Sequence, residues 1–95
     1  MDVVASVYFE LKGRSLLSDK KPSYLCKSEG IVRVIIKVNQ KGQVVSKTID
    51  ESKTNTQNEC LRSAALEYAG LWKFNQNFND EIRKQGWIEF RYKAQ

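Results

Sequence analysis

Two cysteines, Cys26 and Cys60, and a scatter of Asp and Glu are the side chains most suited to chemistry in this 95-residue chain, which has no histidine at all. A thiol becomes a nucleophile when a base or a helix N-terminus lowers its pKa. Cys60 falls in the first turn of a predicted helix, but it stands beside Leu61 and just before the pair Ala64-Ala65, a setting that suits a packed, inert thiol. Neither cysteine has a CxxC or Cys/His spacing for zinc, and two are too few for a disulfide framework. Whether they pair is left open by the sequence, with free buried thiols as the default. Asp50, Glu51, Asp80 and Glu81 lie in predicted loops, where solvated charge accounts for them without a metal or a general acid. Gly42 and Gly86 are turn glycines and build no phosphate-cradling loop. The expectation is a non-enzyme with no catalytic residue, no metal and no cofactor.

The elements that must position any binding surface follow from periodicity. Val3 to Leu11 is rich in β-branched and aromatic residues, with Val7, Phe9 and Leu11 on one side of an alternation, and reads as a strand. Arg14 to Glu29 carries the only proline, Pro22, and reads as a connection with a short helical turn, pinned by Leu16, Leu17, Tyr24 and Leu25. From Gly30, the residues Val32, Val34, Ile36 and Val38 alternate with Arg33, Lys37 and Asn39, the pattern of a half-buried strand. Asn39 to Gly42 is a tight connection, so Gln43 to Ile49 returns as the second arm of an antiparallel hairpin. Thr56 and Glu59 fit a capping box, and Leu61, Ala64, Ala65, Tyr68, Leu71 and Trp72 form an apolar stripe on a helix from Asn58 to about Lys73. After a polar connection, Gly86 opens a strand in which Ile88, Phe90 and Tyr92 share one face. This order predicts an α+β domain: an antiparallel sheet of three to four strands with a helix on one face. Residues 1–29 form an N-terminal strand and connecting segment, and residues 30–95 form the core of one domain.

Composition bounds the partners. A net charge of +5 and a pI near 9.3 allow association with acidic segments, phospholipid or nucleic acid. The Lys and Arg residues form no run longer than a pair and interleave with acids, which favours a solvated surface over a nucleic-acid patch. No stretch approaches the ~20 apolar residues of a membrane span.

Three segments resemble the TonB C-terminal domain family. The first is Gly30 to Val38 followed by Gly42-Gln43-Val44, similar to the family's glycine, alternating aliphatics, turn glycine and valine. The second, Ala64 to Phe74, resembles its small-residue helix ending in Trp, a basic residue and an aromatic, here Trp72-Lys73-Phe74. The third, Gly86 to Tyr92, is similar to its closing strand. Gly13 to Leu16, Lys21 to Tyr24 and Glu29-Gly30 look like the variant found in Bacteroidetes-type members. Asn75-Gln76 stands where a proline often follows in the family.

The resemblance implies the periplasmic C-terminal domain of an energy transducer. Such a domain binds the TonB box of an outer-membrane transporter by strand addition and couples proton-motive force to import. An inner-membrane anchor N-terminal to it engages an ExbB/ExbD-type complex. By resemblance the receiving edge is the last strand, Trp87, Ile88, Glu89, Phe90, Arg91, Tyr92 and Lys93. Ile88, Phe90 and Tyr92 would pack under the helix, while Glu89, Arg91 and Lys93 meet peptide or solvent. The Val3 to Leu11 strand is a candidate occupant of the same edge, within one chain or swapped in a homodimer. Two other readings are a TonB-like module of a membrane sensor or peptidase-type protein and a small basic nucleic-acid-binding domain.

Overall fold

The structure, a computed structural model, describes residues 3–18, 26 and 28–94. It is an α+β fold. Strands β1 (Val3–Glu10), β3 (Gly30–Asn39), β4 (Val44–Ile49) and β6 (Arg83–Ala94) form one antiparallel sheet in the order β1-β6-β3-β4. Two short strands, β2 (Leu16–Ser18) and β5 (Lys73–Phe74), pair in a second sheet, and helix α1 (Glu59–Ala69) packs on one face of the first.

The alternation read in β3 is the alternation observed, with Val32, Val34, Ile36 and Val38 fully buried. In β6, Ile88, Phe90 and Tyr92 lie on the same buried face, across from Val34, Val32 and Gly30. Leu61, Ala65 and Ala69, each four residues from the next, are the buried stripe of α1. The small side chains of the two alanines let the helix axis approach the sheet closely. The hairpin turns at Gly42, whose φ is +88°, and a β-carbon there would lie 1.9 Å from the Phe74 carbonyl oxygen, so only glycine fits.

Several boundaries differ from expectation. The N-cap of α1 is Asn58, whose Oδ1 accepts from the Leu61 N–H at 3.1 Å, and the Thr56 hydroxyl instead accepts from the Asn58 N–H. The helix closes at Gly70. The Leu71 and Trp72 N–H groups then donate to Tyr68 and Ala69, tightening the chain into a 3₁₀-like turn that seats Trp72 in the core and leaves Leu71 48% exposed. The polar connection after the helix begins with β5, and among the described residues the connection after Gly13 is held by strand pairing at Leu16–Ser18; the rest of the segment where a helical turn is expected, residues 19–25, lies outside the described residues. Leu16 packs against the core, Leu17 is exposed, and Tyr24, Leu25 and Pro22 lie outside the described residues. The last strand begins at Arg83, three residues before Gly86, because β3 continues to pair with it as far as Asn39.

Arg14 is a buried cation that no periodicity announces. Its guanidinium donates to Asp80 Oδ2 at 2.9 Å and to the Asn75 and Asn39 carbonyl oxygens at 3.0 and 3.2 Å. One side chain thereby ties three connections together. Among the described residues no helix is long and apolar enough to cross a membrane.

Candidate functional site

The residues expected at an open edge, Trp87 to Lys93, all lie in β6, and β6 is an inner strand. On one side Gly30 to Asn39 pair with Tyr92 to Arg83, and on the other Val3 to Glu10 pair with Ala94 to Trp87. The expectation that this strand is free is therefore corrected: β1 of the same chain covers it. Hydrophobic burial explains the docking. Val7 packs against the core, Leu11 is buried, and the Phe9 ring lies 5.6 Å from Trp72 and 5.9 Å from Phe74, centroid to centroid. Gly86 completes the fit, because a β-carbon there would lie 2.3 Å from the Glu10 carbonyl oxygen. Among the described residues the outer strands of the sheet are β1 and β4.

The side chains of β6 divide as expected at Ile88, Phe90 and Tyr92, which are buried beneath α1. Burial pushes the Tyr92 phenol well above its ordinary pKa, and its hydroxyl donates to the Leu61 carbonyl at 3.4 Å. Glu89 departs from expectation. It faces away from the helix, yet it is only 4% exposed, because the guanidinium groups of Arg33 and Arg91 enclose it at 2.9 and 2.7 Å. Burial alone would raise its pKa; the hydrogen bonds from Arg91 and Arg33 outweigh that and hold it below the usual carboxylate value. Arg33 also lies over the Trp87 ring at 3.8 Å and Arg91 over the Tyr8 ring at 4.6 Å. Tyr8, Glu89 and Arg33 are direct register partners across β1, β6 and β3, so this cluster rivets the three strands together on the face opposite α1.

Beside the rivet lies a shallow groove of about 390 Å³, lined by Glu10, Lys12, Ile35, Asp50, Lys84 and Trp87 among others. Among the described residues no group of three or more His, Cys, Asp or Glu side chains could hold a metal ion. The cysteines, expected as free thiols, are joined: Cys26 and Cys60 form a disulfide with Cα atoms 5.7 Å apart. The thiols meet because α1 starts over the segment that leads into β3, a proximity that spacing along the chain does not reveal. What the site offers is backbone and shape: a long strand with an extended segment laid along it, and two outer sheet edges.

The chain matches no family model, no curated protein and no solved structure.

Proposed function

We propose that this chain is a peptide-gripping module of the TonB C-terminal type, which takes the TonB box of an outer-membrane transporter as an added strand along β6. The observation that carries the reading is the placement of β1: an extended segment is laid antiparallel along β6 through eight register pairs, from Val3 with Ala94 to Glu10 with Trp87. The outer side of β6 thus accepts an incoming strand whose alternate side chains, as Val7 and Phe9 do, pack against the core. A transporter peptide exchanges with β1, drawing its strength from main-chain hydrogen bonds and its selectivity from the positions of Val7 and Phe9. The Cys26–Cys60 disulfide supports an oxidising compartment such as the periplasm, since such bonds persist there and not in the cytosol. On this reading the module belongs to an inner-membrane-anchored protein driven by an ExbB/ExbD-type complex, and force passes along β6 with no catalytic residue.

The test is an amide-shift titration of the isotopically labelled chain with TonB-box peptides, repeated on Phe9→Ser, which weakens β1. Expected are shifts concentrated on Gly86 to Lys93, faster hydrogen exchange in β1, and tighter peptide binding by the variant. If no peptide perturbs these residues even in Phe9→Ser, the reading fails.

A further inference from the structure

The opposite edge of the sheet carries its own set of features. The Asp50 N–H donates to the Arg33 carbonyl at 2.8 Å and the Asn39 N–H to the Gln43 carbonyl at 3.0 Å, so the odd-numbered residues of β3 aim their polar groups at β4. Their partners Thr48 and Ser46 face β3 in return. The alternation of an antiparallel pair then turns the N–H and C=O groups of Lys47 and Ile49 outward. Among the described residues the only pairing on this outer side is a single bridge between Gln43 and Lys73, at the very start of the strand.

At the start of β4, next to these outward groups along the strand, lies a groove of about 340 Å³ between Gln43–Val45 and the turn that closes α1, with Val44, Val45, Gly70, Leu71 and Trp72 in its wall. Val45 and Leu71 are 46% and 48% exposed, a pair of apolar side chains flanking a strand edge. Two lysines border the groove. Lys73 is part of its lining, and the Lys47 ammonium lies over Gly70, 2.8 Å from where a β-carbon would sit. Among the described residues neither lysine has a carboxylate partner. A lysine on an edge strand guards against unwanted pairing with another strand. A recess with exposed Val45 and Leu71 adds nothing to that protection, but it suits side chains arriving on an added strand.

We propose that the outer edge of β4 is a second strand-addition site, which takes an extended acidic segment of a partner protein. The outward groups of Lys47 and Ile49 bond its main chain. Its apolar side chains lie in the groove by Val45 and Leu71, and its carboxylates meet Lys47 and Lys73. The site is separate from β6, on the far side of β3 from it.

The probes are a peptide of alternating valine and glutamate, about seven residues long, and its counterpart with lysine for glutamate. With the labelled full chain, the glutamate peptide shifts the amides of Lys47 and Ile49 and the methyl groups of Leu71 and Val45, and binding weakens as salt is raised. The double variant Lys47→Glu with Lys73→Glu loses about tenfold in affinity for it and gains comparable affinity for the lysine peptide. That charge-swapped rescue separates a binding role from a structural one, and unchanged amide positions elsewhere verify the fold. The proposal is overturned if β4 shows no shifts at millimolar peptide, or if both peptides bind the unaltered chain equally. Shifts at Gly86 to Lys93 with none at β4 would likewise overturn it while leaving the β6 reading intact.

Discussion

Glu89 illustrates how one side chain can be at home on the sheet face opposite α1. Its carboxylate receives bonds from Arg33 and Arg91 together, and those cations are in turn laid on Trp87 and Tyr8. The pKa lies below the ordinary 4.5, so the stability this group contributes is fully present above that value and is lost as pH falls through the depressed folded pKa. Glu89→Gln cannot neutralise two guanidinium groups and should cost about 1–2 kcal/mol at neutral pH. Thermal melts of both proteins between about pH 6 and pH 3 provide the check: the gap between them should close as acid protonates Glu89. Arg14 plays the corresponding part at the connections. A methionine there keeps the length of the side chain and leaves the Asn39 and Asn75 carbonyls without their donor.

At the scale of elements, the first and last strands are matched at one point where a side chain has no room. The Glu10 carbonyl approaches Gly86 so closely that Gly86→Val must push the end of β1 away from β6. The expected loss is about 1–3 kcal/mol. Hydrogen exchange should show protection falling across β1 while the β3–β4 hairpin keeps its own. Equal loss everywhere would mean that β1 and the hairpin unfold as one unit. The hairpin and helix were legible because their signals are local: a period of two in Val32 to Val38, a turn glycine at Gly42, a helical stripe through Leu61 and Ala65. The strand at Val3 to Leu11 was legible too, and its place along the last strand stood as one alternative beside a swapped pairing; the pattern did not choose between them. The choice of partner depends on packing the Phe9 ring, which stays 38% exposed, against Trp72 and Phe74, side chains more than sixty positions away in the chain.

For the molecule as a whole, the disulfide closes a loop of 34 residues that contains the entire hairpin. In the chain-entropy picture a loop of that length restrains the unfolded state by about 2–4 kcal/mol. Reduction, or replacement of Cys26 and Cys60 by alanine, should lower Tm by roughly 10–25 °C in a domain of this size. Calorimetry with and without reductant checks this, and an unchanged Tm would mean that the bond adds no restraint.

The residue pattern alone determined the α+β class, the buried face of each long strand, and the inward set Ile88, Phe90 and Tyr92, since hydrophobic period is a local property of the chain. The tertiary structure alone decided that β6 lies inside the sheet with β1 along it, that Glu89 is enclosed by two arginines, and that Cys26 meets Cys60. Each of these depends on which distant segments burial brings side by side, and a pattern read along the chain records only which face is buried, not what buries it.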